Sequence, residues 1–182
     1  MSSAAVILWL AGFGLRTTVL AVPPVIAPIQ SDLGLSGTEV GLLSGLPMVL
    51  FAIAALPGAR LVTRFGALVP LAAGLAIAGM ASSLRGVGGA ATLYVMTALM
   101  SAGIAVMHPA LPPLVRQWLP QRVSFGTSIY MNALLVGEVL AVALTPLLLP
   151  LVGGSWRWVL FVWGLPLVVI SLVVVRFAPE AS

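Results

Sequence analysis

The sequence contains no cysteine and no lysine, and charged residues of any kind make up only 7% of it. Without cysteine there is neither a disulfide nor a thiolate metal site. The single histidine, His108, has no acidic partner nearby, which argues against a metal centre. A soluble domain carries about 25% charged residues, so a composition this poor in charge belongs in lipid. No glycine-rich phosphate loop or other nucleotide motif is present, which speaks against ATP-driven transport by this chain alone; no cofactor is called for. The stretch Gly41-Leu42-Leu43-Ser44-Gly45 lacks the G-x-S-G arrangement of a membrane serine protease. Ser44 is expected to bond its own helix backbone, and no enzyme activity is expected. No basic n-region precedes the first apolar run, so that run is expected to stay in the mature protein.

What is present is apolar surface. Of 182 residues, 61% are hydrophobic and the mean hydropathy is +1.20. A spanning helix needs roughly 20 apolar residues, and the apolar runs divide into six spans. These fall at about 4–29, 37–56, 67–84, 91–115, 123–149 and 157–175 of a single domain over residues 1–182. The expected fold is an all-α membrane protein of six transmembrane helices. Ser36-Gly37-Thr38-Glu39 has capping-box spacing for the second helix. Gly41 and Gly45 follow at a spacing that permits close helix approach, and Trp156 and Trp158 are placed as interfacial anchors.

The net charge is +4 and the pI about 11.2, but the arginines lie at the ends of apolar runs rather than in one cluster. They read as topology determinants, and no nucleic-acid partner is expected. Arg60, Arg64, Arg116, Arg122 and Arg176 share one side; Arg85 and Arg157 lie on the other. The positive-inside rule makes the five-arginine side cytoplasmic. Both termini then lie inside an inner (plasma) membrane, with Asp32 and Glu39 outside.

The connection Leu61-Val62-Thr63-Arg64-Phe65-Gly66 resembles the loop signature G-x-L-A-D-R-F-G of the major facilitator superfamily. Arg64, Phe65 and Gly66 match; Thr63 stands where that signature has Asp, and Ala59 where it has Gly. Asp32-Leu33-Gly34-Leu35-Ser36 and Trp156-Arg157-Trp158 carry the same resemblance. Gly14-Leu15-Arg16, Leu46-Pro47, Gly103-Ile104 with Pro109 or Pro112, Leu119-Pro120-Gln121-Arg122, and Ala133 to Gly137 with Thr145-Pro146 extend it. They resemble in particular the cyanate permease and nitroimidazole transporter family, over the first half of a member. The resemblance implies a half bundle built as a 3+3 inverted repeat, the loop arginines Arg60 and Arg64 with Gly66 in its signature, and a small weak-acid or nitro-aromatic anion as substrate.

Four polar side chains fall inside the spans: Arg16, His108, Asn132 and Glu138. From the helical rise, Arg16 lies roughly 16–18 Å from the cytoplasmic edge, Asn132 about 13 Å, His108 about 10–12 Å and Glu138 about 22 Å. Arg16, Asn132 and His108 are therefore the expected substrate-binding layer, since a guanidinium fork suits a small planar anion. Glu138 is read as a proton-coupling group or a counter-ion. Two readings of Arg16 stand open: an anion anchor, or a permanent pair with Glu138 used for packing. His108 likewise either donates to a carbonyl freed by Pro109 or contacts substrate as a pH-sensitive gate. At the level of the chain, the readings are a secondary anion transporter or its N-terminal half, a membrane scaffold or partner subunit, and an inactive fragment. The half-transporter reading calls for a second copy or a separate six-helix partner.

Overall fold

The computed structural model describes residues 3–179, and among these every regular element is helical. Six rods follow one another: α1 (Ser3–Leu33), α2 (Gly37–Phe65), α3 (Leu68–Leu84), α4 (Ala90–Trp118), α5 (Val123–Leu151) and α6 (Trp156–Phe177). Five are long and apolar enough to cross a membrane, and α3 is a shorter apolar helix of 17 residues. At 1.5 Å per residue α3 is still about 26 Å long.

The start of α2 forms as its sequence predicts. Ser36 Oγ accepts from the Glu39 backbone N–H at 3.3 Å, while the Glu39 carboxylate accepts from the Ser36 N–H at 2.7 Å. Its end does not. The basic segment after Leu56 was expected to be a connection, yet the helix continues through Pro57 to Phe65 and stops at Gly66, whose φ is +76°. A proline removes one rung of the ladder, and tertiary contact holds the rest. Gly58 sits so close to α4 that a Cβ there would lie 2.7 Å from the Ala105 carbonyl oxygen. Gly41 and Gly45, the expected close-approach pair, face open space instead.

Small residues set the other crossings as well. At the α3–α4 crossing, a Cβ on Gly103 would meet the Gly74 carbonyl oxygen at 2.7 Å. The principal packing pairs are α1–α5, α2–α4, α3–α4 and α3–α6. Exchanging α1 with α4, α2 with α5 and α3 with α6 converts the first pair into the second and returns α3–α6 to itself. Those three pairs follow the pairing an inverted repeat requires, whereas α3–α4 exchanges with α1–α6, a much weaker contact, so the repeat is matched in part.

Buried apolar side chains form two layers. One holds Ile7, Leu8, Leu15, Leu75, Met107 and Leu167, and the other Val25, Ile29, Leu43, Leu93, Val159 and Leu160. Along α1 the first layer ends at Leu15 and the second begins at Ala21. The segment carrying Arg16 lies at that seam.

The Asp32 end is closed by a polar clamp. Arg157 pairs with Asp32 at 2.9 Å and donates to the carbonyl oxygens of Gly86 and Gly88, tying the end of α1 and the α3–α4 turn to the start of α6. Trp156 donates to the same Asp32 oxygen at 3.0 Å and is only 4% exposed. It is a core residue rather than the expected interfacial anchor, because its N–H finds a partner inside the bundle. Trp158 is exposed.

Candidate functional site

The site begins with a fault in α1. Regular helix stops at Gly14 and resumes at Thr17, with Arg16 at φ −128° and ψ −12° between them. Leu15 N–H turns back to the Gly12 carbonyl at 3.1 Å, and the Thr17 hydroxyl donates to the Phe13 carbonyl. Breaks of this kind survive at membrane depth only where protein packs against them or where they line a cavity. Both conditions hold here. Gly137 of α5 packs on the break, where a Cβ would lie 2.7 Å from the Phe13 oxygen. On its other side the break opens onto a cavity.

That cavity has a volume of about 210 Å³ and is walled by α1, α2, α4 and α5 through Arg16, Phe51, Ala55, His108, Pro109 and Leu134, among others. It is smaller than the roughly 300–1,000 Å³ of pockets that hold drug-sized ligands, a size that suits a compact solute. Its walls are chiefly apolar, with one permanent cation, Arg16, and one imidazole. His108 reaches it because α4 tightens into a 3₁₀ turn over His108–Ala110, next to Pro109.

The guanidinium is shared. Arg16 Nη1 lies 3.1 Å from Glu138 Oε1, with the two side chains 40% and 25% exposed. The counter-ion contact and the open cavity therefore coexist, so pairing with Glu138 does not seal Arg16 off. A guanidinium has five N–H donors, and one carboxylate contact leaves others for a second acceptor.

Of the residues expected in this layer, Arg16 and His108 line one cavity and Asn132 does not. Asn132 is exposed on α5 outside the cavity lining. Depth along a helix fixes a layer but not a direction. Asn132 precedes the cavity-lining Leu134 by two positions, about 200° around the helix, whereas Glu138 follows Leu134 by four and keeps to its side. Arg60 and Arg64 are exposed in the last turns of α2, Arg64 over the Phe65 ring at 5.3 Å. Neither makes an ion pair among the described residues.

One residue was overlooked. Arg85, read from sequence as a turn arginine and topology marker, folds inward and is fully buried. It donates to the Thr18 carbonyl at 2.8 Å and to Ser82 Oγ at 2.9 Å. The sequence does hold a faint signal. Pro23 has no N–H to offer Val19, so Val22 N–H bonds Val19 and leaves the Thr18 carbonyl open.

Comparison with known proteins agrees with this architecture. The family model described as Major Facilitator Superfamily matches residues 5–182. The uncharacterized transporter YycB of Bacillus subtilis (strain 168) is 30% identical over 152 residues, covering 84% of this chain and 38% of that protein. The 2-nitroimidazole transporter of Escherichia coli (strain K12) is 30% identical over 151 residues, 79% of this chain and 36% of that one. The cyanate transport protein CynX of the same organism is 26% identical over 164 residues, 90% and 42% respectively. The chain thus spans about two fifths of these relatives. In structure it resembles a bacterial homolog of the human lysosomal transporter Spinster in an inward-facing, occupied conformation. The TM-score there is 0.74 at 21% identity, covering 99% of this chain and 44% of that one. The relatives are transporters, a class that moves solutes rather than transforming them. With the resemblance read from its loop and helix motifs borne out over nearly its whole length, this chain belongs to the Major Facilitator Superfamily.

Proposed function

We propose that the chain forms the N-terminal half of a secondary transporter for small weak-acid anions, with Arg16 as the anchor of the substrate's negative charge. The observation that carries this reading is an arginine at a helix break, bordering a small, largely apolar cavity, whose charge is divided between that cavity and Glu138. Apolar walls around one fixed cation favour a compact, planar, monovalent solute, since a larger charge finds no second cation among the lining residues. The cyanate and nitroimidazole transporters among the relatives support the same class.

The pair with Glu138 supplies a mechanism. A substrate anion and the Glu138 carboxylate compete for one guanidinium, so anion binding is favoured when Glu138 takes up a proton. Loss of the anion then draws the carboxylate back and releases the proton. Transport becomes anion–proton symport through the exchange of one ion pair for another. His108, which lines the same cavity, adds an N–H donor to the bound anion. The Arg60 end faces the cytoplasm of an inner membrane by the positive-inside rule, and the remaining half of the path comes from a second six-helix unit.

The test is uptake of labelled cyanate and small carboxylates into proteoliposomes holding the chain with its second half. Wild type accumulates label when the outside is acidic. Arg16→Ala is expected to fall to the empty-vesicle level, and Glu138→Gln to retain exchange while losing the response to the pH gradient. Equal uptake by wild type and Arg16→Ala would remove Arg16 as the anchor.

A further inference from the structure

Arg85 raises a question that the Arg16 cavity does not answer. Its guanidinium is fully buried and, among the described residues, it has no carboxylate partner and only Nη2 is hydrogen-bonded. Nε and Nη1 have no acceptor among the described residues, and Thr97, 2% exposed, has an unpartnered hydroxyl. A buried cation without a counter-ion is costly, and unmade hydrogen bonds at buried donors add to the cost.

Both residues border one cavity. It has a volume of about 100 Å³ and is walled by Val19, Leu43, Pro47 and Met100 together with Arg85 and Thr97, among others. About 10–15 Å³ is enough for one water, so the space admits a small ion with some hydration. Its lining residues include no acidic side chain. Arg85 and Thr97 thus border the cavity with a full positive charge and a hydroxyl, while Nε, Nη1 and the Thr97 hydroxyl are closed to solvent in this conformation, so an anion in the cavity reaches them by a small shift of those side chains.

This second cavity is stacked on the first. From Val19 to Leu15, from Pro47 to Phe51 and from Met100 to Ile104, each helix passes from the wall of one cavity to the wall of the other in four residues. Four residues are one turn, about 6 Å. The Arg85 cavity lies on the Asp32 side of the Arg16 cavity, between the same three helices.

We propose that Arg85, with Thr97, binds a small monovalent inorganic anion of halide size, at a site separate from the Arg16 cavity. The anion is the counter-ion that the buried guanidinium lacks, and Nε, Nη1 and the Thr97 hydroxyl donate to it. Two bonds from Nη2, to Thr18 and Ser82, hold the guanidinium in place. Binding at this site is independent of the transport reading; only its use as a stopping point on the way to Arg16 rests on that reading.

The test is the thermal unfolding midpoint of the purified chain in nanodiscs, titrated with sodium bromide and, at equal ionic strength, with sodium gluconate. Gluconate is too large for the cavity. A saturable rise of the midpoint with bromide alone is expected. The rise should persist in Arg16→Ala and need about tenfold more bromide in Thr97→Val, which keeps the packing and loses the hydroxyl. Arg85→Met is expected to abolish it; if that variant fails to fold, Thr97→Val and anomalous scattering from bound bromide carry the decision. The proposal is overturned if bromide and gluconate act alike, which would mean that water alone occupies the cavity. It is equally overturned if Thr97→Val titrates as wild type does. A bromide response that disappears in Arg16→Ala assigns halide binding to the Arg16 cavity and likewise overturns it. Failure of cyanate uptake, by contrast, leaves this site untouched.

Discussion

At the scale of the residue, Arg16 is a charge held where charge is expensive. Insertion of an arginine at the centre of a lone helix costs about 2.5–3.5 kcal/mol, and three features reduce that cost here: the Glu138 carboxylate, the partial exposure of both side chains, and the cavity. The sequence disclosed Arg16 because a charge in an apolar run is conspicuous, and it disclosed Glu138 as a possible counter-ion for the same reason. Asn132 was drawn into the group because linear depth is legible and helix azimuth is not. Arg85 was lost because an arginine at a helix end looks like surface; only the fold brings it to the carbonyl of Thr18. A direct prediction follows for Arg16→Lys. Lysine keeps the charge but not the planar fork, so uptake should survive with a KM raised by about tenfold, measured in the same vesicles as Arg16→Ala. An unchanged KM would mean that the charge alone is recognised.

At the scale of the element, the bundle is built from breaks and close approaches. The α1 fault carries Arg16 and the 3₁₀ turn in α4 carries His108, and both line one cavity. Glycines and prolines announced these irregularities in the sequence, but not which of them are used. Gly41 and Gly45 have spacing that favours packing and face open space, whereas Gly74 and Gly103, from different helices, meet. No single-helix pattern reveals such a pair. Gly103→Ala is expected to lower stability by about 1–3 kcal/mol, the usual cost of overpacking, because its Cβ would strike the Gly74 carbonyl. Gly41→Ala should be neutral or stabilising by up to about 1 kcal/mol, since alanine is the better helix former. Reversible unfolding in mixed micelles checks both; equal effects would show that the α3–α4 contact does not set the crossing.

At the scale of the whole molecule, the helices divide by exposure. The apolar stretches of α2 and α5 are 11% and 17% buried within the chain, against 61% for α1. Leu56, Leu135, Val139 and Leu147 stand out from them. Lipid and the second half we propose are the surroundings such faces require. The superfamily fold itself was legible, because six apolar runs, alternating arginines and a loop signature are properties of the chain read in one direction. The cavity was not, since its walls come from four helices and its charge balance from two.

The central claim is that water and small anions reach Arg16 in the cavity between α1, α2, α4 and α5 and are drawn there by its charge. The absence of native cysteine makes the decisive measurement simple. Ala55 lines the cavity, while Ala78 is buried in the core between helices. With Ala55→Cys in lipid, an anionic methanethiosulfonate reagent should label the thiol faster than a cationic one. Adding Arg16→Gln should slow the anionic reaction by about tenfold or more, the scale on which a focused charge changes local ion concentration. Ala78→Cys should remain unlabelled. No labelling at Ala55→Cys, or a rate of anionic labelling that does not change when Arg16 is neutralised, would contradict the account.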